Sequence, residues 1–168
     1  MLPSPFVAPF VAQTLDIRPG SIRDEHFVRR LSSRVFSVYG DYGTLLPEWM
    51  VHPAVMTYIG EESGGPVGFT MLGLYVPDRT RGYVADLLAI AVEPTAQGHG
   101  VGKQLLDHAL ATARTLGKHM PVKEIRLDVA DTNTRGRALF ESRGFELADE
   151  DHGYYQGGQR ALRMRKKL

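Results

Sequence analysis

The stretch Val84 to Lys103, VADLLAIAVEPTAQGHGVGK, constrains this chain more than any other. Its apolar run, Leu87-Leu88-Ala89-Ile90-Ala91-Val92, predicts a strand. The chain then turns at Glu93-Pro94 into Gln97-Gly98-His99-Gly100-Val101-Gly102, and an amphipathic segment follows at once. A strand, a glycine-rich turn and a helix start leave backbone N–H groups free to hold an anion. Glycine at 100 and 102 removes side chains that would bar close backbone approach.

Two phosphate-binding signatures fail on this stretch. The Walker A loop needs a Gly, four residues, then Gly-Lys-Ser/Thr. Gly102-Lys103 fits its end, but Gln97 replaces the first Gly and Gln104 the hydroxyl residue. The dinucleotide fingerprint G-x-G-x-x-G is met by Gly98 and Gly100, but Lys103 stands at its third Gly.

Periodicity supplies the remaining elements. Ala12 to Ile17 reads as a first strand. Ser21 caps a helix through Phe27, Val28 and Leu31. Val35 to Pro53 mixes Phe36, Tyr39, Tyr42 and Trp49 with glycine and proline. It is expected to be an irregular lid packing its aromatics on the core, or else a substrate-facing loop. Val55 to Gly60, Pro66 to Val76 and Tyr83 to Val92 form three strands joined by short turns, an antiparallel meander. Val101, Leu105, Leu106, Ala109, Leu110 and Ala113 line one face of a helix ending near Gly117. Ile125, Leu127 and Val129 alternate in a further strand. Asp131 or Thr132 is expected to cap a second helix, which Gly144 closes. A last strand is expected at about 159 to 164, and the basic tail Arg163-Arg165-Lys166-Lys167 is read as a solvated end.

The fold class is therefore α+β, a mixed and mostly antiparallel sheet of six to seven strands with helices on its faces. The length of 168 residues suits a single domain, 1–168, with residues 1–10 as a loose arm. A net charge of +1 argues against a broad nucleic-acid or membrane surface. No apolar run approaches the roughly 20 residues that span a bilayer, and the start lacks a signal peptide's basic residues. The absence of cysteine excludes thiolate nucleophiles and zinc–thiolate sites. A cytoplasmic location is the expectation, with no metal.

A third loop pattern, Q/R-x-x-G-x-G/A, is matched in full by Gln97, Gly100 and Gly102. It is the pyrophosphate loop of the GNAT N-acetyltransferase superfamily, and the chain resembles that family beyond the loop. LAIAVEP is similar to the family's L-x-V-x-P strand. Asn133 followed by Ala138-Leu139-Phe140-Glu141-Ser142-Arg143-Gly144-Phe145 is similar to its N-x(4)-A-x-x-[YF]-x-x-x-G-F segment. The likeness is close over about residues 83 to 164. It implies a three-layer fold whose central sheet splays into a V. It also implies an acetyl-CoA-dependent N-acetyltransferase in which an amine attacks the thioester directly within a ternary complex. Gln97 to Lys103, including Gly98, His99 and Val101, would hold the pyrophosphate, with the His99 side chain in solvent. The backbone of Ile90, Ala91 and Val92 would hold the pantetheine arm and supply the oxyanion donor, next to a bulge. Asn133 and Phe140 would also touch the coenzyme.

The resemblance leaves the catalytic residues open. Asp86 and Asp128 are the two candidate bases, the alternative for each being a structural carboxylate paired with Arg126 or another cation. Many relatives carry a tyrosine acid where this chain has Phe140. Tyr154 and Tyr155, which resemble paired tyrosines of protein N-terminal acetyltransferases, are the replacement candidates. The expected partners are acetyl-CoA and an amine, from a peptide or a small molecule, with the protein a monomer or homodimer. A non-catalytic acyl-CoA-binding module is the alternative.

Overall fold

The computed structural model describes residues 14–78 and 82–168. Its strands form one seven-stranded sheet in the order β1-β2-β3-β4-β5-β7-β6. β1 (Asp16–Pro19), β2 (Val55–Glu62), β3 (Gly65–Asp78) and β4 (Gly82–Val92) pair antiparallel. β4 then pairs parallel with β5 (Val122–Ala130). β7 (Ala161–Lys167) lies antiparallel between β5 and the edge strand β6 (Glu146–Asp149). The mixed, mostly antiparallel sheet matches expectation. The proposed arm at 1–10 and the residues Ala12 and Gln13 lie outside the described residues.

Helices cover both faces. α1 (Glu25–Val35) and α2 (Tyr42–Met50) pack with Ile59, Phe69, Met71, Ala89 and Ala91 on one side. α3 (Val101–Gly117) packs on the other with Leu72, Ala85, Leu87, Ile125 and Leu127. All six residues of the predicted α3 stripe are buried. α4 (Thr134–Glu141) adds Leu139 and Phe140 to that side.

Ala85, Leu87, Ala89 and Ala91 share one parity, yet the first two face α3 and the last two face α1 and α2. A strand's side chains alternate with period two, so one extra residue must sit between them. The register identifies it. Leu87 pairs with Leu72 and Ala89 with Met71, which leaves Leu88 bulged.

Four local expectations are corrected. The segment Val35–Pro53 contains a helix, α2, despite Pro47 in its interior. Pro47 cannot donate to the carbonyl four residues back, that of Gly43; Arg29 Nη1 donates to it instead at 3.3 Å. Ser21 caps a short 3-10 turn, Ile22–Asp24, before α1 begins. The cap of α4 is Asn133, not Asp131 or Thr132; its Oδ1 accepts from Gly136 N at 2.9 Å. The basic tail is strand β7, and its Arg163 is ion-paired rather than solvated.

Candidate functional site

The bulge at Leu88 coincides with the point where two strands part. Pairing between β4 and β5 runs from Tyr83↔Val122 to Asp86↔Arg126. Beyond Asp86 the sheet splays into the expected V. The Val92 carbonyl turns away from β3 and accepts from Gln97 Nε2 at 3.0 Å. Backbone groups alternate along a strand, so the Ile90 N–H and C=O face the same opening as those of Val92.

The glycine loop closes one end of the splay. Gly98 and Gly100 sit at φ +81° and +84°, in the left-handed region that L side chains avoid, and a Cβ on either would point into open space. Gly100 is the N-cap of α3. Gly98 and Gly100 therefore put no side chain of their own between an anion and the helix N-terminus. Gln97, Gly98, Gly100, Gly102 and Lys103 line a groove of about 390 Å³ together with Ile90, Ala91, Val92 and Asn133. His99 and Val101 do not line it: His99 is exposed, and Val101 is buried under Ala96 and Leu105. Gln104, which stands at the hydroxyl position of the Walker pattern, accepts the Leu15 N–H at 3.1 Å.

The groove continues inward. Ile90, Asn133, Phe36 and Tyr39 also line a neck of about 100 Å³ that contains Phe140 and Tyr155. Tyr39, Tyr42, Leu87, Leu88 and Tyr155 carry the neck into a cavity of about 570 Å³, where Asp86, Asp128 and Tyr154 are found. One passage thus runs from the glycine loop, past the bulge, to two carboxylates. Its roof is fastened across two loops: Gln159 Nε2 donates to Val38 O at 2.9 Å, Gly157 N to Tyr39 O at 3.2 Å, and the Tyr39 and Tyr155 rings lie 5.4 Å apart.

The two carboxylates differ in their surroundings. Asp128 receives both arms of the Arg163 guanidinium, Nε at 2.9 Å and Nη2 at 3.0 Å, with His152 Nε2 at 4.0 Å. Arg126 pairs instead with Glu124 and donates to Tyr75 Oη. Asp86 is largely buried at the vertex of the splay. Burial, with the Asp128 charge as the second cause, lifts its pKa to about 6. A carboxyl poised near neutral pH suits proton transfer.

The tyrosines also divide. Tyr154 is 73% exposed. Tyr155 is half-buried and lines both neck and cavity; burial, then Tyr42 and Asp128, raise its pKa, so the phenol keeps its proton. Phe140 lies in the same neck, edge-on to Phe145 at 5.9 Å, and has no hydroxyl to offer.

Sequence reasoning missed several lining residues. Arg135 flanks the groove and donates to Gln97 Oε1 at 3.3 Å. Glu48 and Trp49 of α2, and Asp41 at its cap, line the cavity. The spacing Tyr42, Leu45, Leu46, Trp49 was the available signal, a helical stripe interrupted by Pro47. His152 carried no signal beyond its place in the loop before β7.

Comparison with known proteins gives the same outline. Residues 24–145 match the family described as acetyltransferase (GNAT). A mycothiol acetyltransferase of Beutenbergia cavernae is 30% identical over 135 residues, covering 75% of this chain and 42% of that protein. A ribosomal protein bS18-alanine N-acetyltransferase of Salmonella typhimurium is 37% identical over 83 residues, covering 48% of this chain and 53% of that protein. The chain thus spans about half the length, or less, of these curated relatives. Arabidopsis thaliana NAA60, solved in complex with a bisubstrate analogue, aligns with a TM-score of 0.77 at 12% identity, covering 92% of this chain and 98% of that one. At that identity the likeness shows the fold. No helix among the described residues is long and apolar enough to cross a membrane.

Proposed function

Since the chain belongs to the acetyltransferase (GNAT) family, we propose that it transfers an acetyl group from acetyl-CoA to a primary amine without a metal. The observation that carries this is the continuous passage from the glycine loop to Asp86. Gly98 and Gly100 leave open space where a pyrophosphate would sit, and Lys103 and Arg135 supply positive charge beside it. The neck is narrow and mainly apolar, as a pantetheine arm requires. Bound acetyl-CoA supplies the thioester that donates the acetyl group.

The chain's residues supply the rest. Asp86 takes a proton from the incoming ammonium, leaving a neutral amine as the nucleophile. Backbone N–H groups at Ile90 and Val92 face the opening and can donate to an oxygen that gains charge. The C–N bond forms as the C–S bond breaks, Tyr155 gives its proton to the departing sulfur, and the proton shed by the new amide nitrogen restores the Tyr155 phenol. Tyr155 thereby takes the place that Phe140 cannot fill. Asp128 is a positioning carboxylate tied to Arg163. The acceptor is a peptide or protein α-amine, with a small-molecule amine as the second reading. The Salmonella relative is named for a protein alanine, while the Beutenbergia relative is named for mycothiol.

Thiol release on mixing the protein with acetyl-CoA and a panel of amines and peptides tests the proposal. Acceptor-dependent release that disappears in Asp86→Asn supports it. Coenzyme A binding with no release from any acceptor would show a sensing module instead.

A further inference from the structure

The large cavity differs from the groove in its charge. Four carboxylates line it, Asp41, Glu48, Asp86 and Asp128, against one titratable cation, His152. Two of the four are already engaged. Asp128 is neutralised by Arg163, and Asp86 is assigned to the proton of the attacking amine. Asp41 and Glu48 stand apart, the first just before α2 and the second within it. Asp41 caps that helix, accepting from Thr44 N at 3.3 Å. Among the described residues, neither forms an ion pair with Lys, Arg or His. Tyr39, Tyr42, Trp49 and Tyr155 line the same cavity with aromatic rings. Aromatic faces and unpaired carboxylates together attract a cation and give an anion nothing to bind.

From this cavity we infer that the acceptor carries a second fixed positive charge besides its reacting amine, and that Glu48, with Asp41, selects for it. This rests on the acetyltransferase reading of the site. Two sources share that chemistry: a peptide with a basic side chain next to its N-terminal residue, and a free diamine. A single exposed charge contact adds little, so the selection comes from Glu48, Asp41 and the aromatic faces acting together.

The test measures kcat/KM with acetyl-CoA on matched pairs: Ala-Arg against Ala-Glu peptides, and 1,4-diaminobutane against butylamine. The dication of the matched pair is expected to be favoured about 10-fold or more, chiefly through KM, and Glu48→Gln with Asp41→Asn should bring that ratio down about 3- to 10-fold. Whichever pair shows the preference identifies the source. Equal use of both members in both pairs overturns the inference, as does a preference that the double variant leaves intact.

Binding separates this from failure of the enzymatic reading. Trp49 is the chain's one tryptophan and lines the cavity. Its fluorescence, followed with coenzyme A present, should respond to the dications at lower concentration than to their partners. If nothing is acetylated yet that response persists and is lost in Glu48→Gln, the charge selection by Glu48 stands and the enzymatic reading falls. No difference in response overturns the inference.

Discussion

Asp86→Asn should make the protein more stable at pH 8 while removing its activity. In the folded chain the Asp86 pKa is lifted from 3.8 to about 6, mainly by burial. At about 1.4 kcal/mol per pH unit, ionising this group costs the fold up to about 3 kcal/mol. Partial exposure reduces the figure, so about 1–3 kcal/mol is expected. The sign follows from protonation. Well below pH 3.8 the carboxyl is neutral in folded and unfolded chains alike, and there is no penalty. As pH rises toward and through 6, the unfolded chain is ionised first and the folded chain follows at a cost, so the stability is lost. Asparagine has no charge to bury. Its advantage should be full above pH 7 and fade toward pH 4. For a chain of this size that is a rise in Tm of about 2–10 °C at pH 8. Turnover should fall about 10²- to 10⁴-fold, the range for loss of a general base. Denaturant unfolding at pH 8 and pH 4, alongside thiol-release kinetics, checks both parts. A variant no more stable at pH 8, or one whose gain is the same at both pH values, refutes the burial argument. A stabilised variant that keeps its activity refutes Asp86 as the base.

Arg163→Gln removes both hydrogen bonds to Asp128 and a cation that favours ionised Asp86. The acidic limb of the kcat/KM profile, set near pH 6 by Asp86, should move up by about 0.5–1 pH unit; an unmoved limb counts against the coupling. Tyr155→Phe should lower kcat about 10- to 100-fold with little change in coenzyme affinity, read from steady-state kinetics and equilibrium dialysis. Gly100→Ala places a Cβ at φ +84°, costing about 1–2 kcal/mol, and crowds the anion cradle. Coenzyme A should then bind about 10-fold more weakly; calorimetric titration showing wild-type affinity would rule out this cradle.

Local signals made the donor half of the site legible. A strand, a glycine turn and an amphipathic helix are all written within Val84–Gly117, and Asn133 to Phe145 lie close downstream in sequence. The acceptor half was hidden because it depends on distant compensation. Pro47 argued against α2, and the Arg29 guanidinium, folded in from α1, donates to the carbonyl that Pro47 frees. Alternation placed Asp86 and Asp128 each on a strand but could not rank them. Their ranking came from Arg163, a residue of the tail that composition alone reads as solvated.

Leu88 joins these halves, and its deletion is the sharpest test of the architecture. The extra residue turns Ala89 and Ala91 to the α1–α2 face, although Ala85 and Leu87 face α3. It sits two residues beyond the last β4–β5 pair, so it bends β4 where the splay begins. Without it, plain alternation returns. Leu87 and Ala89 become neighbours, so every side chain keeps its observed face, but β4 can go on pairing with β5 past Asp86. That pairing would consume the Ile90 and Val92 backbone groups and close the neck of about 100 Å³. Losing the half-buried Leu88 side chain, which packs on the α1–α2 side, costs about 1–2 kcal/mol. The deleted protein should thus be weakened but folded, with coenzyme A binding largely lost. Circular dichroism melts and equilibrium dialysis separate the two effects. A folded deletion variant that binds coenzyme A as tightly as wild type would show that the splay is not what holds it.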